Sequence, residues 1–257
     1  MTDLTKRESD ELTIASWGQE DAVDLELFEV PKIMCMQSQS PQIMAGKAMV
    51  GEFRTSNTNA KLGNPDEPMR MIPFHLVSKI LTRKNNKFVS LEVKTPENSG
   101  LPREERIGND VIQRYLVIQF FVLLPEEIEK GCATPYTMSF QSTSLQAGKK
   151  IYTHMKTTLK MQRKPPCASH FIVGAKIQTS EQGGQYFVMD SNIDRDTTQK
   201  EIVECFKWYK LVAQGALKVD ERRDEEVGSS DPNTVNTTAT KQATGKVENV
   251  EFDENAF

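Results

Sequence analysis

Long apolar runs are scarce in this 257-residue chain. The longest, Tyr115 to Leu124, is interrupted by Gln119 and falls well short of the ~18 apolar residues of a membrane-spanning helix, so it fits a buried strand. The first residues, Met-Thr-Asp-Leu-Thr-Lys-Arg-Glu-Ser-Asp-Glu, hold no apolar signal segment, and a cytoplasmic protein is expected. Cysteine is sparse. Cys35, Cys132, Cys167 and Cys205 lie far apart with no Cys-x-x-Cys pair, which excludes zinc-ribbon and thioredoxin-like spacings and fits reduced thiols. His75, His154 and His170 each stand alone in sequence. The chain has no Gly-x-x-x-x-Gly-Lys-Ser/Thr phosphate loop, no Gly-x-Gly-x-x-Gly, no Gly-x-Ser-x-Gly and no His-Glu-x-x-His. Asp190-Ser-Asn-Ile-Asp194-Arg-Asp196 has the rhythm of a calcium loop but lacks glycine at its sixth position and the closing glutamate, so it reads as turn and helix-cap chemistry. The carboxylate pairs Glu104-Glu105 and Glu126-Glu127 fall in loops without an apolar setting that would shift a pKa. No metal, no cofactor and no enzymatic reaction is expected.

One further absence points to a function. From Gly131 to Ser180 there is no Asp or Glu, while Lys149, Lys150, Lys156, Lys160, Arg163, Lys164 and Lys176 all fall there. The net charge of −4 hides this segregation. Residues 1–29 carry 2 basic and 9 acidic side chains, residues 30–219 carry 26 and 17, and residues 220–257 carry 4 and 10. A basic body between acidic ends attracts polyanions, and the ends compete with them intramolecularly. Segment 1–29 is polar and weakly periodic, and it is expected to be largely disordered. So is the acidic tail 220–257, which ends in Val250-Glu-Phe-Asp-Glu-Asn-Ala-Phe257. Phe252, Asp253, Glu254 and Phe257 make that end a candidate docking peptide.

Between the tails, strand patterns dominate. Strands are expected over Lys47–Arg54, Arg70–Thr82, Phe88–Lys94, Val111–Leu124, Pro135–Gln141, Phe171–Thr179 and Tyr186–Asp190. Arg83-Lys-Asn-Asn-Lys87 and Ser-Glu-Gln-Gly-Gly184 read as hairpin turns, and Thr95–Asp110 as a long loop. One helix is expected over about Leu145–Arg163, capped by Thr143 or Ser144 and stopped by Pro165-Pro166, and a second over about Thr198–Val219. The expected fold is mainly β with added helices. It is an OB-like, partly open barrel of five to seven strands, with one helix before the last hairpin and one C-terminal helix.

The chemistry these residues favour is binding of an unpaired polynucleotide. Lys and Arg neutralise phosphates, and aromatics on a sheet stack bases. Arg54 follows Phe53, Lys87 precedes Phe88, Tyr136 and Phe140 precede the basic helix, and Tyr186 and Phe187 follow Lys176. The candidate DNA-binding residues are therefore Arg54, Lys87, Tyr136, Phe140, Lys149, Lys150, Lys156, Lys160, Arg163, Lys176, Tyr186 and Phe187. A rival expectation is a transcription activator or recombination mediator that works mainly through protein contacts of the tail and of the helix carrying Trp208.

Phe140-Gln-Ser-Thr-Ser-Leu-Gln-Ala-Gly-Lys-Lys150, a strand ending in Ser-Phe-x-Ser-Thr-Ser before a basic helix, resembles a block of bacteriophage single-stranded DNA-binding proteins. Ile172 to Met189, with its glycine turn, continues the likeness, which covers about Arg70 to Asp190. The acidic tail with its terminal aromatic resembles those of the same class. The resemblance implies an OB fold and the coating of single-stranded DNA in replication and recombination inside an infected bacterial cell. It also implies tail contacts with replication proteins or RNA polymerase, and a possible homo-oligomer. Ser142, Thr143 and Ser144 would form the helix entry, and Lys149 and Lys150 would touch phosphates. The tail departs from the pattern in being diluted by Thr234–Lys246.

Overall fold

The computed structural model describes residues 29–38, 40–179 and 185–219. In chain order the elements are β1 (Glu29–Val30), β2 (Lys32–Cys35), α1 (Pro41–Met44), β3 (Phe53–Thr55), β4 (Lys61–Gly63), β5 (Met69–Lys84) and β6 (Lys87–Val93). Then come α2 (Pro96–Ser99), β7 (Glu104–Ile107), β8 (Asp110–Leu123), α3 (Pro125–Glu129) and β9 (Tyr136–Gln141). A 3-10 turn (Ser142–Ser144) opens α4 (Leu145–Thr153), which runs through a π-helical stretch (His154–Thr158) into α5 (Leu159–Met161). β10 (Ser169–Thr179), β11 (Gln185–Asp196), α6 (Gln199–Ala213) and β12 (Lys218–Val219) complete the described chain.

Ten strands form one curled, half-barrel open sheet in the order β11-β10-β5-β8-β9-β2-β3-β4. β6 adds to β5 and β7 to β8 beyond the ends of their other neighbours, so β6-β5-β8-β7 projects as a four-stranded arm. β1 and β12 make a separate parallel pair.

Alternation divides the sheet's two faces. Ile118, Phe120 and Val122 of β8 turn inward with Met138 and Phe140, while Phe121 and Leu123 turn outward with Phe74 and Ile72. In β5 the inward set changes phase between Met71 and Leu76, because a bulge at Pro73/His75 inserts one residue. Pro73 is tolerated there since a bulge releases its missing N–H from the ladder. α4 plugs the inner face through Ala147, Ile151 and Met155. It can approach β9 because Gly148 lacks a Cβ, which would stand 2.6 Å from Phe140 Cβ. α6 covers the outer face, with Cys205 fully buried beside Phe74 and Phe121. Its N-terminus is a capping box: Glu201 N–H donates to Thr198 Oγ1 and Thr198 N–H donates to Glu201 Oε2 at 2.7 Å.

At the arm's far end two hairpins are stapled. Asn85 and Asn86 take φ of 51° and 64°, as a two-residue turn demands. Asn85 Nδ2 donates to Asp110 Oδ1 at 2.8 Å and Val111 N–H donates to Asn85 Oδ1 at 2.9 Å.

The mainly β class with a helix before the last hairpin and a C-terminal helix matches expectation. Several particulars do not. The sheet has ten strands where five to seven were expected. The strand expected over Lys47–Arg54 is mostly turn, and only its last residues enter β3. β2 and β4 were unforeseen because such short strands carry no periodicity. The loop expected over Thr95–Asp110 contains α2 and β7, whose run Glu104-Glu-Arg-Ile107 lacks apolar alternation. Asp190–Asp196 is the second half of β11, not turn and cap. Neither Thr143 nor Ser144 caps the helix. Glu29, expected in a disordered segment, lies in β1. The Ser180–Gly184 turn, residues 1–28 and the tail 220–257, with Phe252, Asp253, Glu254 and Phe257, lie outside the described residues.

Candidate nucleic-acid interface

A cleft of about 450 Å³ separates the arm from the body of the half-barrel. The arm contributes Leu81, Arg83, Asn86 and Phe88, and β2 contributes Lys32 to Cys35. The end of β9 with its 3-10 turn supplies Ser139 and Gln141–Ser144, and β11 supplies Tyr186, Phe187 and Met189. Aromatic rings, cations and hydroxyls thus face one space, and no carboxylate lines it among the described residues.

Several local features set these side chains. β11 is an edge strand, and side chains satisfy its free backbone edge. Gln37 Nε2 donates to Phe187 O at 3.1 Å, and Phe187 N–H donates to Gln37 Oε1 at 3.2 Å. Met189 N–H donates to Ser144 Oγ at 3.0 Å. Ser144 therefore serves β11, which is why it does not cap α4. Phe187 fits because residue 51 is glycine at φ 85°, where a Cβ would stand 2.5 Å from the Phe187 ring. Tyr186 is half-buried, and its hydroxyl donates to Gln178 Oε1 at 3.1 Å. Arg83 lies 6.0 Å from the centre of the Tyr115 ring, with Arg103 at 5.9 Å from the same ring. The cation–π contact with Tyr115 helps hold Arg83 at the cleft wall.

Of the residues picked from sequence, only Tyr186 and Phe187 line this cleft. Phe140 is fully buried, edge-on to Phe120 at 5.7 Å, and has no face left for a base. Tyr136 is 8% exposed and donates to Glu127 Oε1 at 2.6 Å; burial and the Glu127 carboxylate push its phenol pKa up. Arg54 is locked to the buried Glu52 at 2.8 Å and donates to Asn59 O at 2.9 Å. Lys150 and Lys176 both grip Asp190, and these bonds hold its pKa down at about 2. Lys149, Lys156 and Lys160 are exposed on α4, the stretch joining it to α5, and α5; Arg163 is exposed in the turn after α5, and Lys87 at the start of β6.

The acid-free stretch of sequence is therefore not acid-free in space. β11 lies beside it and delivers Asp190 to Lys150 and Lys176, and Asp196 to Lys164 at 2.9 Å. The cleft's own cations, Lys32 and Arg83, were missed. Lys32 sits on a strand too short to recognise, and Arg83 reads as part of a turn although β5 continues through it. Comparison with protein-family models, with curated proteins and with solved structures finds no match to this chain.

Proposed function

We propose that this protein binds single-stranded DNA without sequence preference, with the cleft as the principal contact. The convergence of Lys32 and Arg83 with Phe88, Tyr186 and Phe187 in one cleft carries this reading. Cations take phosphates, rings stack bases of any identity, and the narrow space favours one strand over a duplex.

The chain path supports an OB-like interpretation. The meander β5-β8-β9, the plugging helix α4 and the hairpin β10-β11, with β10 returning to β5, follow the strand–helix–strand order of such a barrel. The inserted β2 takes the place where β9 and β11 would otherwise meet, and Gln37 bridges what remains. Oligonucleotides occupy OB barrels across the second and third strands, between the first and last hairpin loops. The counterparts among the described residues are β8, β9 and the arm, which border the cleft. The exposed cations of α4 and α5 add long-range attraction.

On this reading the protein coats single strands in phage replication and recombination in the host cytoplasm. The acidic tail with Phe252, Asp253, Glu254 and Phe257 recruits replication proteins or RNA polymerase. The test is titration of labelled oligo-dT and of a duplex at two salt concentrations. Tight, salt-sensitive binding of oligo-dT with weak duplex binding is expected. Equal affinity for both, or none for oligo-dT, rejects the proposal.

A further inference from the structure

Cys167 and Cys205 are distant in sequence and adjacent in space. Cys167 precedes β10, directly after Pro165-Pro166, and Cys205 is in the middle of α6. Both residues line an apolar cleft of about 210 Å³ beneath α6, walled by Phe74, Ile202 and Phe206 among others. Both belong to the same buried cluster with Phe74 and Phe121, and their thiols lie close enough to perturb each other. Their backbones are held independently of them: Thr197 Oγ1 donates to Cys167 O at 2.6 Å, and Thr198 starts α6 with its capping box. The mouth of the cleft is open, with Val203 48% and Phe206 37% exposed.

We propose that Cys167 and Cys205 form a redox-active dithiol that a small peroxide closes to a disulfide, joining α6 to the start of β10. Cys167 is the attacking sulfur. It is 6% exposed where Cys205 is fully buried, so a small peroxide reaches its sulfur first. The neighbouring Cys205 holds the Cys167 thiol pKa down, while Cys167 and burial push the Cys205 thiol up. The thiolate attacks one peroxide oxygen, so an S–O bond forms as the O–O bond breaks, and the departing hydroxide takes a proton to become water. Cys205 sulfur then attacks Cys167 sulfur. The S–S bond forms, the S–O bond breaks, and the hydroxide leaves as a second water with the Cys205 proton. Two thiols lose two electrons and two protons, and the peroxide is reduced to two waters. The closed loop runs through all of β10 and β11, so oxidation constrains the unfolded chain and fixes α6 on the sheet.

The experiment treats the full chain with stoichiometric hydrogen peroxide, then alkylates the remaining thiols and measures intact mass and linked peptides. The expected product has lost about 2 Da before alkylation, contains one Cys167–Cys205 linked peptide, and reverts with dithiothreitol. Alkylation then reaches only Cys35 and Cys132, the half-buried and exposed thiols. The midpoint of thermal unfolding should rise by about 5–10 °C on oxidation. A C35S/C132S double variant should retain the mass loss, and C167S should abolish it. Four alkylatable thiols after treatment, a link through Cys35 or Cys132, or sulfinic acid at Cys167 without a link overturns the proposal. A link that leaves the unfolding midpoint unchanged overturns the stapling of α6.

Discussion

Two regions of this protein carry positive charge, and they differ in what surrounds it. The stretch around α4 and α5 holds the densest run of basic residues, yet Asp190 pairs with both Lys150 and Lys176 and Asp196 with Lys164 of that region, offsetting part of its charge. The cleft between arm and body has fewer cations, Lys32 and Arg83, but three aromatic rings share it and no carboxylate lines it among the described residues. Charge density along a chain is thus a poor guide to charge density in space. Cations set beside stacking surfaces matter more for holding a nucleic acid than the number of lysines along the chain.

The sharpest break between core and cleft comes from the aromatics. Phe140→Ala empties a fully buried site under α4 and should cost about 3–5 kcal/mol of stability, read by urea unfolding. If Phe140 stacked on bases instead, stability would barely change and affinity would fall. Tyr186→Ala should do the reverse, weakening oligo-dT binding by about 1–3 kcal/mol with little effect on unfolding.

The pH dependence of stability probes the buried side of the same comparison. Burial, with Lys156 nearby, holds His75 down at about 4 from its ordinary 6.5. Between those values the unfolded chain binds a proton that the folded chain refuses, so this stability is complete above pH 6.5 and is lost as pH falls towards 4. His154 and His170, also depressed chiefly by burial, act in the same direction. His75→Phe, beside Phe121 and Tyr209, should flatten the slope without abolishing it, as measured by denaturant midpoints from pH 7 to 4.

Two smaller effects separate the charged regions. Arg83→Ala should flatten the dependence of affinity on salt by up to ~0.7 in log–log slope, and Lys149→Ala by less, because Arg83 lines the cleft and Lys149 does not. Asp190→Asn frees Lys150 and Lys176 from their shared partner. At physiological salt it should tighten oligo-dT binding by no more than about twofold, since these cations lie outside the cleft lining and are screened. A larger gain would show the strand running across α4 as well.

The fold was partly legible because long strands advertise themselves. β5, β8 and β10 have apolar alternation that a two-sided sheet requires, Asn85-Asn86 is a turn by chemistry, and Pro165-Pro166 ends a helix wherever it occurs. The bulge at Pro73/His75, the short strands β2, β3 and β4, and the polar β7 were not legible, since their pairing is decided by neighbours distant in the chain. The same holds for Gly51 and Gly148. Each is one glycine among 14, and only the approach of Phe187 or Phe140 shows why a side chain is excluded there.

By itself the sequence determined the β class, the two main helices and the segregation of acid from base, because alternation, turn chemistry and charge are properties of contiguous residues. Only the tertiary structure decided which aromatics are core, which lysines are already paired, and that Lys32, Arg83, Phe88, Tyr186 and Phe187 meet in one space. Those outcomes depend on contacts between strands that the sheet brings together from opposite ends of the chain, where sequence distance carries no information about spatial distance.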